Sequence, residues 1–61
     1  MKIYTITDNN TGEEKNFIFK SHAAKSLGIN TNRIELALLG RPYKNYTIEY
    51  RDVDINIPLE V

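Results

Sequence analysis

Within seven positions the chain carries Asn30, Thr31, Asn32, Arg33, Glu35 and Leu36. An asparagine carboxamide pairs a donor with an acceptor, an arginine guanidinium presents parallel donors, and a carboxylate only accepts. Those geometries match nucleobase edges in a DNA major groove: Asn reads adenine, Arg reads guanine, Glu accepts from cytosine, and Thr touches the thymine methyl. Lys20, Ser21, Lys25, Arg41 and Lys44 flank the segment. Cations and hydroxyls so placed hold backbone phosphates and fix register without reading sequence. Other chemistries are poorly supplied. The chain has no cysteine and one histidine, His22, too little for a zinc shell. The acidic loop Asp8-Asn9-Asn10-Thr11-Gly12-Glu13-Glu14 lacks the EF-hand spacing of oxygens. No nucleophile–base pair or carboxylate pair can be assembled, so the expectation is a chain that is not an enzyme, with no cofactor, metal or small-molecule substrate.

These residues need elements to position them. Residues 3–7 and 16–19 are rich in β-branched and aromatic side chains, and the Asn/Asp/Gly loop between them suits a hairpin turn. Ser21 offers an N-cap oxygen to a short helix through Leu27 whose Ala23, Ala24 and Leu27 share a face. Gly28 suits the left-handed position that closes it. Asn30 or Thr31 then caps a second helix running to Leu39, stopped by Gly40 with Pro42 beyond. Ile34, Ala37 and Leu38 form its inward stripe; Asn32, Arg33, Glu35, Leu36 and Leu39 point away. Two short helices joined by a glycine-containing turn describe a helix-turn-helix, whose second helix enters the major groove. Residues 46–51 alternate at period two and read as a strand with one buried face.

Sixty-one residues allow one domain, and the apolar runs are far too short to span a bilayer. No secretory signal is visible, and the expected location is cytoplasmic. Net charge is zero, but unevenly distributed. Residues 1–14 carry −2, residues 15–51 carry +5 and residues 52–61 carry −3. In the last segment Val53, Ile55, Ile57, Leu59 and Val61 alternate with polar residues and proline, on a parity shifted by one from Tyr46, Ile48 and Tyr50. A continuous strand would send the two apolar sets to opposite faces, which predicts a bulge or turn near Arg51-Asp52. The tail beyond is expected to be a fourth strand, an open edge or a mobile end.

The hairpin, the run Ser21-His22-Ala23-Ala24-Lys25-Ser26-Leu27-Gly28-Ile29, then Ile34, Ala37-Leu38-Leu39-Gly40-Arg41 and Tyr46-Thr47-Ile48-Glu49-Tyr50 together resemble a nuclease-associated modular DNA-binding domain. The resemblance covers residues 2–51. Members are small helix-turn-helix modules found beside homing endonuclease catalytic domains, often phage-encoded. It implies a bacterial or phage setting, a helix opened by Ser21, and a recognition helix over residues 31–39. No nuclease segment is expected within these residues, and the acidic tail extends past the module.

The sequence thus predicts an α+β fold: an N-terminal β-hairpin, a central helix-turn-helix and a C-terminal strand completing a small antiparallel sheet. Residues 1–51 form the DNA-binding module and residues 52–61 an acidic tail. The expected partner is duplex DNA, bound with sequence preference. The rival expectation is a protein-binding modulator of phage type, acting through the tail and an apolar patch at Leu36 and Leu39. A homodimer through residues 52–61 is compatible with both.

Overall fold

The computed structural model describes residues 1–54 and 56–60. The order is β1 (Lys2–Asp8), β2 (Glu14–Phe17), α1 (Lys20–Leu27), α2 (Thr31–Leu38) and β3 (Tyr46–Asp52). The strands make one antiparallel sheet in the order β2-β1-β3, so the fold is α+β with both helices inserted between the second and third strands.

The hairpin closes as its residue types require. Asp8 Oδ1 accepts from the Asn10 amide at 2.9 Å, and the Gly12 amide donates to Asp8 O at 2.7 Å with Gly12 at φ 78°. Its second strand begins earlier than expected. Glu14 and Lys15 pair with Thr7 and Ile6, whereas Ile18 and Phe19 leave the ladder and are exposed. They leave because α1 starts at Lys20: the Phe19 carbonyl accepts from the amides of His22 and Ala23, both at 3.1 Å. Ser21 is therefore not the N-cap. It sits inside the first turn, beyond reach of the role its residue type suggested, and the capping position belongs to Phe19, which has no side-chain acceptor. The Phe19 ring meets His22 edge-on at 5.3 Å instead.

Both helices end in the same backbone motif. The Gly28 and Ile29 amides donate back to Lys25 O and Ala24 O, and the Gly40 and Arg41 amides to Ala37 O and Leu36 O. The left-handed residues that permit this are Gly28 at φ 69° and Gly40 at φ 100°, and a side chain there would be strained.

Strand alternation divides β1 between two faces. Tyr4 and Ile6 lie with Phe17 and Ile48, their registered partners, on the face covered by the helices. Ile6, Phe17, Ala23, Ala24, Ile34 and Ile48 form the buried cluster, with Leu27, Ile29 and Ala37 packed on its margin. Leu38 departs from the expected stripe and is 37% exposed. The reason is that α2 lies over β3, the edge of the sheet, and no further strand extends beyond it among the described residues.

The opposite face carries Ile3 and Thr5, which are also buried, at 0% and 2% exposure. Here the tail corrects the expectation. β3 runs in unbroken register to Lys2↔Asp52, with no bulge, and the chain departs only afterwards. The Val53 amide donates to Met1 O at 2.8 Å. Asn16 Nδ2 donates to Pro58 O at 3.1 Å, and the Glu60 amide donates to Asn16 O at 2.7 Å. Among the described residues the tail is neither a fourth strand nor a loose end; it is a strap tied to the back of the sheet and to the edge of β2. Ile55 and Val61, two of the alternating apolar residues, lie outside the described residues.

Beneath the strap Thr5 Oγ1 donates to Asn16 Oδ1 at 2.8 Å and accepts from Arg51 Nε at 2.9 Å. The Asp52 carboxylate accepts from the Met1 ammonium at 2.9 Å, which holds its pKa below the ordinary aspartate value. Asn16 is the joint between strap and sheet. Replacing it with Ala is expected to lower stability by about 1–3 kcal/mol, because the Thr5 hydroxyl and Pro58 carbonyl lose their partner. Urea denaturation reads the loss, and amide exchange at Glu60 should quicken; an unchanged Glu60 rate would refute the strap.

Candidate nucleic-acid interface

α2 is anchored by Ile34, which is fully buried, and by Ala37 against the cluster edge. The opposite side of an eight-residue helix is then presented outward. Asn32 and Leu36, one turn apart, lie on that side and are exposed. Asn30, Asn32, Arg33 and Leu36 line a shallow open groove with Ile29 and Tyr43.

The structure divides the expected base-reading set by what each side chain is already doing. Asn30 is the cap: its Oδ1 accepts from the Arg33 amide at 3.0 Å. The capping bond fixes its carboxamide at the start of the helix. Arg33 is half-buried and turned back on its own chain. Its Nη1 donates to Arg41 O at 3.1 Å, its Nη2 donates to Pro42 O at 2.8 Å, and the guanidinium lies 5.5 Å from the Tyr43 ring centroid. Arg33 thus ties α2 to the loop entering β3. Glu35 forms an ion pair with Lys20, joining α2 to the start of α1, and this bond holds the Lys20 ammonium above its ordinary pKa. Thr31 and Asn32 are exposed, with no side-chain hydrogen bond among the described residues.

The expected phosphate set divides the same way. Lys20 is matched by Glu35. Ser21 is exposed in the first turn of α1, and Lys25, Arg41 and Lys44 are exposed and form no ion pair among the described residues. Lys44 holds φ 50°, a left-handed conformation unusual for a residue with a Cβ, in the tight turn closed by the Tyr46 amide and Tyr43 O. Its ammonium lies 5.3 Å from the Tyr43 ring centroid.

Tyr43 is the residue that sequence reasoning missed. It carries Arg33 and Lys44 on its ring and stacks on Tyr46 at 6.1 Å between centroids, so it organises the basic loop. Its only sequence signal is an aromatic residue between two basic ones, Arg41 and Lys44. His22 is exposed on α1, and no group of three potential metal-binding side chains occurs among the described residues. No helix is long and apolar enough to cross a membrane among the described residues.

Comparison of the chain with protein-family models, with curated proteins and with solved structures finds no match. The likeness to the nuclease-associated module therefore rests on the order of its motif residues.

Arg33→Ala should act as a loop mutation. The expected loss is about 1–2 kcal/mol of folding stability, from two charged hydrogen bonds and a ring contact near the surface. The Tyr43 and Lys44 amide resonances should move with it. A variant of unchanged stability and loop spectrum would show that the guanidinium is free.

Proposed function

We propose that this chain binds duplex DNA, with α2 in the major groove and Lys25, Arg41 and Lys44 on phosphates. The observation that carries the reading is the segregation of charge between the helix layer with its loop and the strap. Residues 20–44, which hold both helices and the following loop, have five basic residues against one acid, a net charge of +4. Asp54 and Glu60 belong to the strap, which is tied to the sheet through Asn16 and to the edge of β2. The acidic tail opposes DNA binding only if it lies near the phosphates. Physiological salt screens charge over about 8 Å. In the helix-turn-helix arrangement Ser21 and Lys25 on α1 meet the backbone while α2 presents Thr31, Asn32 and Leu36 to base edges.

The number of free cations sets the salt dependence. Three phosphate contacts give a slope of log affinity on log salt of about −2.7. Glu35→Gln releases Lys20 and should steepen the slope to about −3.6. Lys25→Ala should flatten it by about 0.9. Fluorescence anisotropy with a labelled duplex over a salt series measures all three, and a flat response in the parent chain would sink the proposal.

A second reading draws on the outer edge of β3, unpaired over residues 47–52 among the described residues. Strand addition by a protein partner or a second copy uses such an edge. The charged residues Glu49, Arg51 and Asp52 stand along it, and charge is a common device that keeps an open edge monomeric, so DNA binding is preferred. Self-association there would protect the outward-facing amides of residues 47–52 from exchange as protein concentration rises. Concentration-independent exchange is the expected result.

A further inference from the structure

Resting on the DNA-binding reading, we propose that α2 selects A·T over G·C base pairs, with Asn32 reading adenine and Leu36 meeting a neighbouring thymine methyl.

The inference comes from elimination among the exposed helix residues. Guanine in the major groove is read chiefly by an arginine or lysine donating to O6 and N7. The one arginine on α2 is Arg33, and its two Nη groups already donate to Arg41 O and Pro42 O. Lys20 and Lys25 are on α1, and Arg41 and Lys44 on the loop. Cytosine offers an amino donor, which a carboxylate accepts. Glu35 is the one carboxylate on α2, and it is held by Lys20. Both devices for reading a G·C pair are thus engaged within the protein.

What remains uncommitted reads the other pair. Asn32 is exposed and keeps both ends of its carboxamide free of side-chain hydrogen bonds among the described residues, whereas the Asn30 carboxamide is held in place by the helix cap. A free carboxamide accepts from adenine N6 and donates to N7. Leu36 follows four positions later, so it lies on the same face with its Cβ about 6 Å away. That interval matches one to two base-pair steps of 3.4 Å. An exposed leucine is poor company for water, and the thymine methyl is the apolar feature of the major groove. The 38% of Leu36 left exposed on the outward side is apolar surface such a methyl can cover.

The test uses the full chain and short duplexes of equal length and identical flanks, with a central segment of either A·T pairs in mixed order or G·C pairs. Two more duplexes carry the A·T centre with 7-deazaadenine, which removes the N7 acceptor, or with uracil for thymine, which removes the methyl. The A·T centre is expected to bind about tenfold or more tightly than the G·C centre. Each modified duplex should lose several-fold of that advantage. Asn32→Ala should abolish the sensitivity to 7-deazaadenine alone, and Leu36→Ala the sensitivity to uracil alone. The base modifications leave the protein untouched, so they read the contact even where a variant folds poorly. Equal affinity for both centres, or preference for G·C, would overturn the selection while leaving DNA binding standing. Absence of binding to every duplex at low salt would overturn the DNA reading itself.

Discussion

The central strand has apolar side chains on both faces, and the rest of the molecule follows from covering them. A chain of this length buries too little surface to leave either face of a three-stranded sheet open to water. Ile6 goes under the helices and Ile3 goes under the strap, and the two are nearly or fully removed from solvent. The polar residues on the strap side are resolved by hydrogen bonds rather than excluded. Asn16 satisfies Thr5 with its carbonyl, the strap with its amide, and leaves no buried side-chain polar atom without a partner among the described residues. A buried polar joint of this kind specifies one seating of the strap, because any displacement strands several groups at once.

Covering both faces also separates the charges. The strap gathers acids at its own segment and the β2 edge, while the helices and their loop carry the excess of cations. A chain with zero net charge can therefore present a positive surface on one side. The sum of charges bears on solubility and long-range behaviour, whereas binding to a polyanion depends on the local field within a Debye length.

Much of the fold was legible in the sequence because its signals were local. The Asn/Asp/Gly turn, the glycines at 28 and 40, the Asn30 cap and the period-two alternation of β3 each depend on neighbours a few residues away, and each stands where its residue type required. The parity shift after Tyr50 led to an expected bulge or turn near Arg51-Asp52; β3 instead keeps its register to Asp52, and the chain leaves the ladder only afterwards to form the strap. Ser21 misled because a capping preference competes with tertiary packing: the Phe19–His22 ring contact and the departure of Ile18 from β2 fix the helix start one residue before the serine. The candidate site was legible as a set of residue types and not as a set of available groups. Which of Asn30, Asn32, Arg33 and Glu35 remain free depends on partners at Arg41, Pro42 and Lys20, chosen by the fold and invisible to spacing along one helix.

The commitment of Arg33 to its own backbone has a physical rationale within the DNA-binding reading. A guanidinium free in solution loses rotamer freedom on reaching a base, and a single bidentate contact to guanine is worth roughly 1–3 kcal/mol of discrimination. Turned inward, the same group fixes the loop that bears Arg41 and Lys44 and sets Tyr43 beneath both itself and the Lys44 ammonium. Two cations are then held beside α2 before any ligand arrives, and ordering them is no longer charged to the binding step. For a helix of eight residues, the gain is register and affinity through phosphates, and specificity falls to the side chains that the loop does not require. The division of labour on α2 is thus a consequence of its shortness: one arginine cannot both anchor the loop and read a base.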